Sequence, residues 1–257
     1  MGASSNFPLK KDPDKGQHFL ISPDILIAHS NMSKNDRIIE IGAGEGILTS
    51  ELAKRAGNLT AFEIDKRYSS SLCLLESRHK NLKIIYDNAL KHSWLGYNKI
   101  ISNIPFFISE QIILKAIDEE IDEMLLIMGD KFRRKLENKE SKIGIVANRF
   151  YNIEFMAKID KKYFSPPPRG CPWLVRFAKK PSISERGMLL KRILRGRGKL
   201  KNSISHSLVL SGKTKRESRE ILASLNIFRR NLEKPVQKTT AKMLIKLISD
   251  LEKILKK

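Results

Sequence analysis

Short apolar segments alternate with amphipathic stretches through the first two thirds of the chain. The apolar segments cover residues 37–41, 59–64, 82–86, 99–101 and 124–128. Each is short enough for a β-strand, and the residues between them follow a helical pattern. Alternation of this kind is typical of a parallel sheet wrapped by helices. We therefore predict an α/β fold for this part of the chain.

A purely helical pattern follows residue 184. Apolar residues recur three and four positions apart around Leu190, Leu222 and Leu247, which predicts amphipathic helices. The preceding segment, residues 179–184 (KKPSIS), combines a proline with small polar residues and is typical of a linker. We predict two domains, with the sheet in residues 1–180 and a small all-helical domain in residues 181–257.

The chain is strongly basic, and most of the excess lies in the predicted helical domain. Its 257 residues include 49 Lys+Arg and 28 Asp+Glu, for a net charge of +21. From residue 179 onward, 22 basic and 6 acidic residues give +16. Such a field attracts polyanions, and no apolar stretch approaches membrane-spanning length. We predict that these helices contact RNA, the alternative being charge that serves only solubility.

Composition excludes several other classes. The first residues contain no apolar run resembling a secretory signal, so we expect a cytoplasmic protein. Cys73 and Cys171 lie far apart and have no Cys or His nearby at metal-ligand spacing. We therefore expect two reduced thiols, with neither a metal site nor a disulfide.

A glycine-rich turn, EIGAGEG in residues 40–46, follows the first apolar segment. Gly42, Gly44 and Gly46 would let backbone amides approach a ligand, beside the positive end of a following helix. Such a turn can serve a dinucleotide, an adenosyl group or only a change of direction. Glu63 ends the next strand, where a carboxylate can accept hydrogen bonds from two ribose hydroxyls. The alternative interpretation of Glu63 is a charged side chain that ends the strand in solvent.

Polar side chains also end the third and fourth predicted strands. Asp87 and Asn88 follow the third strand, and either could accept a hydrogen bond from the amine of a bound adenine. The fourth strand runs into the motif Asn-Ile-Pro-Phe at residues 103–106. This motif suggests a clamp for a planar amine.

The chemistry of the motif explains its composition. Adenine's amine is a poor nucleophile, because its lone pair is delocalised into the ring. The Asn103 side-chain oxygen and the Ile104 carbonyl can accept the two amine hydrogens, with Pro105 fixing the turn. Phe106 can stack on the base. The lone pair then faces a methyl donor without a metal or a general base. The alternative is a proline turn with a core phenylalanine.

Together these residues resemble the ribosomal RNA adenine dimethyltransferase family, which joins small-subunit dimethyltransferases with erythromycin-resistance methyltransferases. The likeness covers about residues 15 to 178 and includes KGQHFL at 15–20 and FSPPPR at 164–169. It implies a Rossmann-like methyltransferase sheet, S-adenosylmethionine as cofactor and RNA adenine as substrate.

The resemblance also implies roles for individual residues. The cofactor-binding positions would be Gln17, His18, Leu20, Gly42, Gly44, Glu63, Asn88 and Asn103. The catalytic positions would be Asn103, Ile104, Pro105 and Phe106. The RNA-binding positions would be Phe164, which the resemblance implies would help to hold the target adenine, and Arg169.

Two positions and one short segment depart from the family pattern. Asn88 stands where an aspartate usually contacts the cofactor adenine, although an amide oxygen still accepts that bond. Phe106 replaces a commoner tyrosine and keeps the ring that stacking needs. Residues 170–173 (GCPW) replace an apolar-Asp/Asn-Ser run on the target side.

Residues 151–159 are similar to the small-subunit branch of the family, especially its archaeal and eukaryotic forms. We therefore predict a monomeric enzyme that dimethylates small-subunit ribosomal RNA in a pre-ribosomal particle. The alternatives are large-subunit methylation of the resistance type and a non-catalytic, RNA-binding assembly factor.

Overall fold

The computed structural model describes residues 18–138 and 140–254. These residues form two compact units. Unit 1 contains residues up to Arg134 together with Asn152–Lys179, and unit 2 contains Lys135–Tyr151 together with residues from Lys180 onward.

The main sheet has seven strands, and its centre is parallel. In chain order they are β2 (Arg37–Ile41), β3 (Asn58–Phe62), β4 (Leu82–Ile85), β5 (Lys99–Asn103), β6 (Glu123–Gly129), β7 (Tyr151–Lys158) and β9 (Pro172–Lys179). Their spatial order is β4-β3-β2-β5-β6-β9-β7. Neighbours from β4 to β6 run parallel, whereas β9 runs antiparallel to β6. A separate antiparallel ribbon pairs β1 (Phe19–Leu20) with β8 (Phe164–Ser165).

One helix precedes the first parallel strand, and others follow β2, β3, β5 and β6. They are α1 (Asp24–His29), α2 (Ile47–Arg55), α3 (Ser69–Arg78), α4 (Ser109–Asp118) and α5 (Asp130–Glu137), with 3-10 turns at Lys66–Tyr68, Ala89–Lys91, Phe106–Ile108 and Lys161–Tyr163. Ile38 and Ile39 are both fully buried. Successive strand residues point to opposite faces, so both faces of β2 are covered, as parallel sheets require. The predicted α/β fold is confirmed.

Unit 2 is helical. It contains α6 (Lys142–Phe150), α7 (Glu185–Arg195), α8 (Leu200–Leu210), α9 (Lys215–Ser224), α10 (Arg229–Leu232) and α11 (Ala241–Ile254), with a 3-10 turn at Val236–Lys238. Its core gathers the predicted apolar stripes, including Leu189, Ile193 and Leu247. Thr214 and Glu217 form a capping box that starts α9. Across the described residues, no helix combines the length and apolarity needed to cross a membrane.

The two units differ in one respect from the predicted domains, which meet at residue 180. Residues 135–151, which include α6, group with the C-terminal helices. Ile143, Val146 and Phe150 are buried, and Arg149 forms an ion pair of 3.3 Å with Glu252 on α11. The helical pattern of α6 does not reveal which apolar surface will cover it, so the sequence alone could not assign it.

Candidate active site

A cavity of about 860 Å³ lies at the carboxyl ends of the parallel strands in unit 1. The strand order changes direction between β2 and β5, and open α/β sheets bind ligands at such a switch point. The β2–β5 pairing covers only Ile38 with Lys99 and Ile39 with Ile100. Past it, the buried Ser102 hydroxyl donates to the Ile41 carbonyl at 2.7 Å. Ser102, which the sequence did not single out, therefore bridges the strands where the cavity opens.

The glycine turn uses its glycines for different purposes. Gly42, Gly44 and Gly46 have φ angles of 81°, 55° and 86°, a region that side chains disfavour. A Cβ at Gly44 would lie 2.4 Å from Phe19 Cε1, so Gly44 lets β1 approach. A Cβ at Gly46 would lie 2.4 Å from Leu75 Cδ1 in α3. Of the three, Gly42 alone lines the cavity.

Glu63 holds the glycine turn against the end of β3. Its side chain lines the cavity, yet the residue is only 7% exposed. Oε2 accepts a hydrogen bond from Gly44 N and Oε1 accepts one from Asp65 N, each at 2.7 Å. Burial raises the pKa of Glu63. Because the residue is buried, it is not a strand-end charge in solvent, and a carboxylate has about four acceptor sites, so capacity for a ligand hydroxyl remains.

A second acid, Glu40, is buried in β2 beneath the turn. It is 1% exposed, and burial raises its pKa to about 8. Its Oε2 atom has no hydrogen-bond partner among the described residues. The nearby charge of Glu63 acts in the same direction. The sequence shows an acid inside an apolar strand, but it does not show how completely the Glu40 side chain is buried.

Asp87 and Asn88 both line the cavity after β4. Asn88 Oδ1 accepts a hydrogen bond from Leu90 N at 3.0 Å and caps the following 3-10 turn. Asp87 Oδ1 accepts from Asn88 N at 2.7 Å, and its Oδ2 lies 3.0 Å from His92 Nε2. Both side chains are thus held in place by local contacts, and both remain possible acceptors for an adenine amine.

The Asn103 side chain, at the end of β5, is oriented by a hydrogen bond that its amide nitrogen donates. Nδ2 donates a hydrogen bond of 2.8 Å to the His18 carbonyl, which leaves Oδ1 as an acceptor beside the cavity that Asn103 lines. The Ile104 side chain is buried and anchors the backbone. A Cβ at Gly42 would lie 3.6 Å from Pro105 Cδ. The glycine turn and the Asn-Ile-Pro-Phe motif therefore face each other.

The two phenylalanines after Pro105 occupy different places. The Phe106 ring is tilted 34° to the His18 ring, with 6.2 Å between centroids. It also rests on Gly129 at the end of β6, where a Cβ would lie 3.0 Å from Phe106 Cδ2. Phe107 is 67% exposed and lines the cavity. Gly129 and Phe107 were not predicted, although a glycine ending a strand and a doubled phenylalanine were visible signals.

Leu20 and Phe164 lie in the β1–β8 ribbon and His18 directly precedes it, whereas Gln17 lies outside the described residues. His18 lines the cavity, and its Nδ1 donates to the Pro166 carbonyl at 2.9 Å. Leu20 and Phe164 pair across the ribbon, and both side chains are buried in the core. The Phe164 ring, 2% exposed, therefore offers no free face to RNA.

Arg169 lies beyond this ribbon and is exposed. Its carbonyl accepts a hydrogen bond of 2.8 Å from Lys161 Nζ. This bond fixes the backbone of the loop that the family resemblance places on the target side, and the Arg169 side chain itself is exposed to solvent.

Comparison with known proteins identifies the family. Residues 9–229 match the family model described as ribosomal RNA adenine dimethylase. A probable ribosomal RNA small subunit methyltransferase A from Pyrococcus furiosus is 32% identical over 79% of this chain and 78% of its own. Its counterpart from Thermococcus kodakarensis is also 32% identical, over 84% and 83%.

A solved structure supports the same fold. The dimethyladenosine transferase from Plasmodium falciparum superposes with a TM-score of 0.62 at 23% identity, covering 92% of this chain and 98% of that one. Together with the family match, this confirms the resemblance predicted from the motifs. The chain belongs to the ribosomal RNA adenine dimethylase family of methyltransferases.

Proposed function

We propose that the protein is an S-adenosylmethionine-dependent dimethyltransferase that modifies adenine N6 in small-subunit ribosomal RNA. The observation that carries this proposal is the meeting of Glu63 and Asn103 in one cavity at the strand switch point. The names of the archaeal relatives favour the small subunit over the large. A monomer acting on a pre-ribosomal particle in the cytoplasm completes the proposal.

The residues around the cavity fit this cofactor. A volume of about 860 Å³ is in the range of ligand pockets. Gly42 leaves space where a Cβ would stand, Glu63 has acceptor capacity for ribose hydroxyls, and Asp87 or Asn88 can accept from the adenine amine. When bound, the cofactor supplies an electrophilic methyl group.

The chain's own part in the reaction is to position the target amine. Asn103 Oδ1 and the Ile104 carbonyl accept the two amine hydrogens, which redirects the nitrogen lone pair toward the methyl donor. The bond from Asn103 Nδ2 to the His18 carbonyl keeps the oxygen in place before substrate arrives, which is preorganisation. Phe106 supplies a ring for stacking, supported from behind by Gly129.

Mass spectrometry of methylated adenosine tests the proposal. The protein and its cofactor are incubated separately with small and large ribosomal subunits from a strain that lacks the modification. We expect N6,N6-dimethyladenosine in the small-subunit RNA only, and none with Asn103→Ala. Product in the large subunit would assign the resistance-type activity. Cofactor binding without product in either subunit would assign a non-catalytic assembly factor.

A further inference from the structure

An exposed aromatic ring lies among cations in unit 2. Phe228 is 69% exposed, immediately before α10. The guanidinium of Arg230 lies 5.5 Å from its ring centroid, and Lys246 Nζ lies 5.9 Å from it. Arg229, the residue after Phe228, is also exposed. An apolar ring surrounded by basic side chains matches the composition of surfaces that bind unpaired nucleotides.

The backbone holds this ring outward. Leu225 and Ile227 are buried on either side of exposed Asn226. Asn226 N donates to Asp250 Oδ2 at 2.8 Å, which fixes the loop to α11. The Phe228 carbonyl accepts from Asn231 N at 2.8 Å at the start of α10. The ring is therefore exposed by a defined backbone path, as a stacking surface requires.

The positive charge around Phe228 favours a polyanionic ligand. Residues 229–246 contain six Lys or Arg and a single acid, Glu233. That acid is engaged by Lys199 at 2.9 Å and Lys201 at 2.5 Å. Asp250 on α11 accepts the hydrogen bond from Asn226 N. Phosphates that approach Phe228 therefore meet cations. A purely apolar partner would instead have to bury these Lys and Arg side chains without compensating charge.

We propose that Phe228 is a base-stacking site for an unpaired nucleotide of RNA, with Arg229, Arg230 and Lys246 binding the flanking phosphates. The proposal rests on the proposed function for its class of ligand, but it concerns a second contact in unit 2. A cation over an exposed ring is held more weakly than a stacked base, so Arg230 can move to a phosphate when a base arrives.

Binding of short RNA to the full chain without cofactor tests this site. The probes are a fluorescent oligoadenylate of about 12 nucleotides, within the reach of one binding surface, and a duplex of equal charge. We expect Phe228→Ala to weaken single-strand binding about tenfold, with duplex binding nearly unchanged. Phe228→Trp should retain affinity, and its added indole fluorescence should be quenched by the oligoadenylate.

Two comparisons distinguish stacking from other contacts. Leu210→Ala removes another exposed apolar side chain of unit 2, 57% exposed, and should leave binding unchanged. Arg230→Gln should lower the salt dependence, whereas Phe228→Ala should not, because the ring releases no counterions.

Equal single-strand affinity of Phe228→Ala and wild type would overturn the stacking site. So would full affinity in Phe228→Leu, since that result would indicate an apolar contact of the kind a protein partner or membrane makes. These outcomes are independent of methyl transfer, because the readout is affinity alone. A wild-type protein that binds the probes but methylates no ribosomal RNA would instead contradict the proposed function.

Discussion

The Asn103 side chain uses its two amide atoms for separate tasks. Nδ2 donates to the His18 carbonyl, and this bond fixes which side of the amide carries the acceptor. The acceptor is useful only if it is already in place when the substrate amine arrives. At the scale of single residues, the orientation of the Asn103 amide therefore accounts for the chemistry predicted for the motif.

We expect Asn103→Ala to reduce methyl transfer at least a hundredfold while the affinity for S-adenosylhomocysteine changes only a few-fold, because the amine loses one of two acceptors. Phe106→Ala should also be strongly impaired, whereas the matched Phe106→Tyr keeps the ring and should remain active. Single-turnover assays and calorimetry separate the two effects. Wild-type turnover in Asn103→Ala would reduce the motif to a turn.

Glu63→Ala should weaken S-adenosylhomocysteine binding at least tenfold, since unpaired ribose hydroxyls cost about 1–3 kcal/mol. Glu63→Gln should also weaken it, because an amide NH₂ would face Gly44 N or Asp65 N, both donors. Calorimetry provides the affinities, and thermal unfolding checks that the turn survives. Glu51→Ala removes a partly exposed carboxylate of α2 that is not among the residues lining the cavity, and it is the matched control. Unchanged affinity in a folded Glu63→Ala protein would remove Glu63 from the cofactor site.

At the scale of elements, the glycine turn and the β1–β8 ribbon depend on each other. The ribbon brings Phe19 onto Gly44 and His18 onto Asn103. The ribbon has only two residues in each strand, so its position relies on these side-chain contacts. Changes at the turn should consequently affect the ribbon as well.

Three glycine-to-alanine variants test this dependence. Gly42, Gly44 and Gly212 all have positive φ, but only at Gly44 would a Cβ lie closer than 3 Å to another atom. Each variant should lose about 1–2 kcal/mol from backbone strain, and Gly44→Ala should lose more through its collision with Phe19. Urea denaturation measures the loss. Equal losses of stability in Gly44→Ala and Gly212→Ala would show that the ribbon can move away from the new Cβ without an energetic penalty.

At the scale of the whole molecule, each unit carries a different part of the proposed function. Unit 1 contains the cavity and both motifs, whereas unit 2 contains most of the basic excess and Phe228. Because α6 belongs to unit 2, deleting residues 181–257 would expose its buried face. Charge and ring substitutions are therefore better probes of RNA binding than truncation.

Stability should fall as pH rises through the neutral range. The pKa of Glu40 is about 8 in the fold against an ordinary value of 4.5. Between these values the unfolded chain releases a proton that the folded chain retains, so the free energy of unfolding decreases with pH, by an amount on the order of a few kcal/mol. The raised pKa of Glu63 acts in the same direction.

Denaturant titrations between about pH 5 and about pH 8 measure this decrease. Glu40→Gln stays neutral in both states and should flatten the profile, making the variant relatively more stable at the alkaline end. Parallel profiles for the wild type and Glu40→Gln would show that Glu40 ionises as freely in the fold as in the unfolded chain.

The sequence alone determined the five parallel strands and the residues at their carboxyl edge, but not the edge strands β7 and β9. Apolar runs bury strands irrespective of long-range detail, and β2 spans Arg37–Ile41 as predicted. Parallel strands necessarily bring their ends to one edge, so Gly42, Glu63, Asn88 and Asn103 could be placed around one site from spacing alone. The basic, amphipathic helices of unit 2 were predicted in the same way, because periodicity and charge are local properties.

Only the tertiary structure decided which surfaces meet. It assigned α6 to the helical unit, placed β9 antiparallel to β6, and buried Phe164 opposite Leu20. It also oriented the Asn103 amide toward His18 and exposed Phe228 beside Lys246. Each depends on contacts between residues far apart in the chain. Local pattern predicts that an apolar side chain will be covered, but the register and packing of distant elements determine what covers it.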